Sequence, residues 1–189
     1  IEVLGRLNCQ RAIPLIGNYL KDSDPYIVEN SAWAMQELQC KDEEIHDLIA
    51  SLLDDEIQNR RVLIQALAKM KAYKYIHKIK SFIVDSSFSP GIYGAAIAAF
   101  TRLSGNSQYS NQLIHLLFND NQNNRQFAIQ DIIDASAIEL IPSVLKTPVS
   151  PFFRMRAVRK LWPIDAENIN HMNLFNTIDS LIIDDPKNI

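Results

Sequence analysis

Four basic side chains fall within seven residues, Arg154, Arg156, Arg159 and Lys160, interleaved with Phe152, Phe153 and Trp162. A guanidinium group grips a carboxylate or phosphate through paired, charge-assisted hydrogen bonds. Aromatic neighbours add a flat apolar surface, so the combination suits an anion carried on an apolar body. The competing reading of any such run is a solvated charged face. At 100° per residue the three arginines fan over roughly half of a helix, so they do not share one narrow stripe. Arg154 or Arg156 is expected to face the binding side.

Other catalytic constellations are weak. His46, His77, His115 and His171 are scattered without metal-ligand spacing, and no metal is expected. Cys9 and Cys40 give neither a disulfide framework nor a zinc pattern; they read as small buried thiols in a reducing compartment. There is no serine-nucleophile elbow, no phosphate loop and no His-Glu-x-x-His string.

What must position these residues is a repeat. The apolar residues Leu4, Met35, Leu67, Phe100, Ile132 and Leu161 follow one another at spacings of 31, 32, 33, 32 and 29. Three residues before the last five stand Ala32, Ile64, Ile97, Ile129 and Val158. Positions i and i+3 share a helix face, so each pair marks the buried side of one helix, here called B. A shorter amphipathic segment precedes each: AIPLIGNYL, EIHDLIASLL, YIHKIKSFIV, NQLIHLLF and ELIPSVLK. These are the A helices. Asp24-Pro25, Ser89-Pro90 and Ser150-Pro151 place a capping residue before a proline at the first helical position, where a missing N–H costs nothing. Alternating strand patterns and Asn-Gly or Asp-Gly hairpins are absent from the sequence.

The expected fold is therefore all-α: a right-handed α-α superhelix, or solenoid, of about five HEAT-like helical hairpins over residues 1–163. B helices are expected on the concave side and A helices on the convex side. Residues 1–8 read as a truncated repeat with an exposed apolar face near 1–10, since residue 1 is Ile inside a helical pattern. A targeting segment upstream would be lost with the missing part. Beyond Pro163, residues 164–189 are expected to cap the last repeat, with a helix around 169–183.

Aligning the B helices gives functional columns. Seven residues before the late apolar column stand Val28, Arg60, Tyr93, Arg125 and Arg154. Arg60 has Asp54 and Asp55 in its preceding turn and Arg125 has Asp120, so both are expected to pair there. The turn before Arg154, KTPVSP, holds no acid, which leaves Arg154 for an external anion. One outward column holds Trp33, Gln65, Ala98, Gln130 and Arg159; another holds Glu29, Arg61, Gly94, Gln126 and Met155. Trp33 stands out there as a partner contact, against packing on the next helix. Gly94, Ala95 and Ala98 leave room for a groove that holds something flat. Net charge of −3 argues against binding nucleic acid through phosphates, and the apolar runs are too short and too broken by charge to span a membrane.

The strings DPYIVENSAWAMQEL (24–38) and SPFFRMRAVRKLW (150–162) resemble the E/F-type phycobilin lyases of cyanobacteria and red-lineage plastids, whose repeats are short HEAT-like units of this period. The resemblance implies a lyase, or lyase subunit, that attaches an open-chain tetrapyrrole by a thioether bond to a cysteine of a phycobiliprotein. The implied substrate is a phycobilin (phycocyanobilin or phycoerythrobilin), with no cofactor of the protein's own. The implied partners are a phycocyanin or phycoerythrin subunit and a related HEAT-like lyase subunit. The implied location is cyanobacterial cytoplasm or plastid stroma. No His-Cys dipeptide, the mark of isomerising members, occurs here. In that light Arg154, Arg156, Arg159 and Arg61 would meet propionates or acceptor carboxylates, and Trp33 or Tyr93 would stack on pyrroles. Glu29 is a weak catalytic acid candidate. The alternatives are a HEAT-repeat scaffold or chaperone for a phycobiliprotein or another protein, and a HEAT-like DNA glycosylase, which the net charge disfavours.

Overall fold

The computed structural model describes residues 1–85 and 87–161, and every regular element among them is helical. Two compact units divide the chain, Ile1–Gly105 and Asn106–Ile189. In the first, α1 (Glu2–Arg6) is followed by three hairpins: α2 (Ile13–Tyr19) with α3 (Pro25–Glu37), α4 (Glu43–Leu52) with α5 (Arg60–Lys69), and α6 (Ile76–Val84) with α7 (Pro90–Ser104). The B helices α1, α3, α5 and α7 lie side by side in one layer, and each hairpin packs its A helix on its own B helix. The second unit repeats the plan with α8 (Leu113–Leu117) on α9 (Gln122–Asp134) and α10 (Ile141–Leu145) on α11 (Pro151–Leu161). Five hairpins thus stand among the described residues, as the sequence period predicts. The terminal helix expected around 169–183, and Trp162, lie outside the described residues.

The late apolar column forms the spine. Met35, Leu67, Phe100, Ile132 and Leu161 are all buried, as are Ala32, Ile64, Ile97, Ile129 and Val158. Each large aliphatic side chain taken out of water contributes about 1.5–3 kcal/mol before the entropy of ordering it is counted. Leu4 in α1 is half-buried, while Val3 and Leu7 are exposed, in line with the apolar face expected near residues 1–10. Gly5 lets α1 approach α3 closely: a Cβ there would come within 3.1 Å of the Ala34 Cα.

Helix ends are built by two devices. Asp24, Asp42, Asn59 and Asn121 cap α3, α4, α5 and α9 by accepting backbone N–H bonds on their side chains. Ser89 stands at the cap position of α7 in an extended conformation but makes no side-chain cap bond, so Pro90 alone sets that start. At the other end, B helices close with a left-handed residue: Asn8, Gln39, Lys71, Gly105 and Ser136. In four of these the next N–H returns to the late apolar column, Cys9 to Leu4, Cys40 to Met35, Ala72 to Leu67 and Ala137 to Ile132. This double-bonded closure satisfies carbonyls that the helix leaves open.

Candidate functional site

α11 divides its residues cleanly between two faces. Arg154, Ala157, Val158 and Leu161 point inward and are buried. Phe152, Met155, Arg156 and Arg159 follow one another at i, i+3, i+4 and i+7, so they form a single outward stripe that Lys160 extends. These five residues line a concavity of about 320 Å³. Its apolar members stay open to solvent, Phe152 at 63% and Met155 at 48% exposure, with Phe153 edge-on to Phe152 at 5.7 Å between ring centroids. Among the described residues no carboxylate lines it, and three cations border its apolar surface.

Arg154 is not part of this site. The sequence expectation rested on the missing acid in its preceding turn, and the structure corrects it. Arg154 is buried, and its Nη1 donates to the Leu145 carbonyl at 3.3 Å, at the C-terminal end of α10. Burial also holds its guanidinium pKa below the ordinary arginine value. Arg60 and Arg125 behave alike. Arg60 Nε donates to the Leu53 carbonyl at 2.9 Å, and Arg125 Nη1 donates to the Asn119 and Asp120 carbonyls at 2.8 and 2.9 Å. Arg60 and Arg154 meet the C-terminal end of the A helix in their own hairpins, where carbonyls stand open and the helix dipole is negative, whereas Arg125 holds the turn after α8 and its Nε also donates to the Pro148 carbonyl at 3.0 Å. The expected partners, the Asp side chains of these turns, are not what the guanidinium groups seek.

The remaining candidates lie in the first unit. Arg61 is also buried, with Nη1 donating to the Gly91 carbonyl at 2.6 Å, which ties α5 to the first turn of α7. It therefore presents no free guanidinium to a ligand. Gly94, Ala95 and Ala98 are buried, so the groove expected over repeat three is closed. Trp33 is half-buried against α1: the Arg6 guanidinium lies 5.8 Å from its ring centroid, and a Cβ on Gly5 would sit 3.3 Å from its ring. Glu29 accepts from Asn59 Nδ2 at 3.0 Å, joining α3 to the start of α5. Tyr93 is half-buried on α7. Arg156 and Arg159 are the two sequence candidates that the structure brings together. Phe152, Met155 and Lys160 join them, and their 3–4 spacing was the signal that finds them.

No described histidine or cysteine lines the α11 concavity, and His171 lies outside the described residues. His46 is buried with Nε2 bonded to the Cys40 carbonyl at 2.8 Å, while His77 and His115 are exposed. Cys40 is buried, which pushes its thiol pKa up, and Cys9 is half-buried. Among the described residues no group of three His, Cys, Asp or Glu side chains is placed to hold a metal, and no helix is long and apolar enough to cross a membrane.

Comparison with known proteins agrees with the architecture and narrows the kinship. Residues 1–68 match the HEAT repeats family. The chain is 39% identical over 181 residues to "Bilin biosynthesis protein CpeY" of Synechococcus sp. (strain WH8020), covering 96% of this chain and 43% of that protein. It is 37% identical over 191 residues to "Uncharacterized phycocyanin operon protein Y" of Pseudanabaena tenuis (strain PCC 7409), covering 100% of this chain and 45% of that one. The chain thus spans less than half the length of these relatives. In fold it is similar to a chain in the complex of CpcE and CpcF of phycocyanin lyase from Nostoc sp. PCC7120, with a TM-score of 0.81 at 22% identity over 95% of this chain and 71% of that one. The resemblance carried by residues 24–38 and 150–162 is borne out: this chain is a HEAT-repeat homologue of bilin biosynthesis protein CpeY and phycocyanin operon protein Y.

Proposed function

We propose that this chain is part of a phycobilin lyase that binds an open-chain tetrapyrrole and presents it for thioether attachment to a phycobiliprotein cysteine. The observation that carries this reading is the stripe of Phe152, Met155, Arg156, Arg159 and Lys160 around its concavity, on a chain related to a bilin biosynthesis protein. A phycobilin (phycocyanobilin or phycoerythrobilin) has two propionates on a flat apolar body. Arg156 and Arg159 offer donor forks to the propionates, and Phe152 and Met155 offer apolar contact to a pyrrole ring.

Thioether formation adds a cysteine S–H across an exocyclic double bond of the bilin. A C–S bond forms, the thiol proton is transferred to the tetrapyrrole, and no net oxidation occurs. The chain's contribution is to hold the bilin by its propionates so that the double bond meets the acceptor sulfur, which is catalysis by positioning. The acceptor is a phycocyanin or phycoerythrin subunit, and a related HEAT-like subunit completes the assembly, in cyanobacterial cytoplasm or plastid stroma.

Coexpression of the full-length protein with a bilin-producing pathway and an apo-phycobiliprotein tests the reading, with and without a related HEAT-repeat subunit. Covalent bilin colour on the phycobiliprotein band of a denaturing gel is the expected result. A phycobiliprotein that copurifies with the chain but stays colourless would support a scaffold or chaperone instead.

A further inference from the structure

Arg156 does not wave freely in solvent. Its Nη2 donates to Gln130 Oε1 at 2.6 Å, bridging α11 to α9. Gln130 Nε2 in turn donates to Asp134 Oδ1 at 3.0 Å, one turn further along α9. A guanidinium can only donate and an ionised carboxylate can only accept, so the two neighbours fix the amide with its oxygen toward Arg156 and its nitrogen toward Asp134.

We propose that Gln130 is a positioning residue that holds Arg156 at the α11 concavity without neutralising it, so that the site selects its ligand by a free carboxylate. This rests on reading the concavity as the seat of a bilin propionate. The physical reason lies in the amide. A carboxylate held directly against Arg156 would compete with an incoming anion for the same guanidinium. The amide instead restrains the side chain through one bond and leaves the remaining N–H donors for the ligand. Asp134 anchors the amide rather than the arginine. Glutamate at position 130 has the same shape but would form the ion pair with Arg156 and repel Asp134. Leucine would fill similar space and release the guanidinium, so that binding must order it anew, at a cost of roughly two- to tenfold in affinity.

Two readouts on the full-length protein test this. Titration with biliverdin, an open-chain tetrapyrrole with two free carboxyl groups, and with its dimethyl ester gives affinities. Nitrogen-15 NMR of the Arg156 guanidinium gives the exchange rate of its Nη groups. Arg156→Leu should weaken biliverdin about ten- to a hundredfold, and the dimethyl ester should bind wild type comparably weakly. Gln130→Glu should approach the Arg156→Leu loss while melting near the wild-type temperature. Gln130→Leu should cost roughly two- to tenfold and speed Nη exchange. If Arg156→Leu weakens binding but both Gln130 variants bind as wild type and Gln130→Leu leaves Nη exchange unchanged, the positioning proposal is overturned and the bilin reading stands. If wild type binds biliverdin and its dimethyl ester equally, or binds neither, both fall together.

Discussion

The Arg154 guanidinium donates to the carbonyl oxygen of Leu145, the last residue of α10, at 3.3 Å. Arg60 makes the same kind of bond to the Leu53 carbonyl after α4, and Arg125 bonds to backbone carbonyls of the turn after α8, so three arginines seven places before the spine residue all hold backbone carbonyls. Losing the Arg154 side chain leaves the part-buried Leu145 carbonyl without this donor. Arg154→Gln should therefore destabilise the protein by about 1.5–3 kcal/mol, the worth of a charge-assisted bond. Arg156→Gln, on the exposed stripe of the same helix, should change stability by less than about 0.5 kcal/mol. Chemical denaturation of both variants reads the contrast. Equal losses would remove the distinction between the two faces of α11.

Leu67 is fully buried in the spine of α5, with Ile64 one turn before it. Leu67→Ala removes packed methyl groups and leaves a cavity, a combination that costs about 2–5 kcal/mol. A loss below ~1 kcal/mol in denaturant titration would contradict the register on which every column here depends.

Ser136 closes α9 at φ 55°, and its backbone N–H returns to the Ile133 carbonyl at 3.0 Å. A side chain with Cβ branching resists this left-handed conformation, whereas glycine adopts it freely. Ser136→Val should cost about 1–2 kcal/mol, and Ser136→Gly should be neutral or stabilise by up to ~1 kcal/mol. Thermal melting of the pair checks this: the valine variant should melt below wild type and the glycine variant at or above it.

Much of the fold was legible because the spine repeats. One buried residue per 29 to 33 positions, with a partner three places earlier, suffices to set five hairpins in register. The left-handed closures were hidden because Asn8, Gln39, Lys71 and Ser136 stand where glycine usually signals them. The site was half legible. The basic run on α11 was visible as composition, but its sorting was not, because Arg154 bonds to a backbone carbonyl and a carbonyl leaves no mark in the sequence. The same blindness applies to Arg61, whose partner is the Gly91 carbonyl. Small residues at Gly94, Ala95 and Ala98 suggested an open groove, and they are buried instead.

Asp47 accepts from Lys74 Nζ at 2.8 Å and from the Tyr75 hydroxyl on the same oxygen. Both bonds favour the ionised carboxylate and hold its pKa below the ordinary aspartate value. A depressed folded-state pKa means that the stabilisation is present above the unfolded value, about 3.9, and is lost as pH falls through the folded value. The group is open to solvent, so the effect is small. Asp47→Asn should flatten the acid limb of melting temperature against pH below about pH 4 and leave the neutral plateau nearly unchanged. An unaltered acid limb would mean that the Lys74 pair does not persist in solution.

Under the proposed function the exposed stripe of α11 grips the carboxylates of a bilin. The direct measurement is the rate of covalent bilin transfer to an apo-phycobiliprotein by the full-length protein and by its Arg156→Gln, Arg159→Gln double variant, with melting temperature recorded for each. A loss of about ten- to a hundredfold in transfer at low bilin, with an unchanged melting temperature, is the result that this structure predicts. Transfer at the full wild-type rate by a double variant that folds normally would contradict it, and would leave the stripe a solvated charged face.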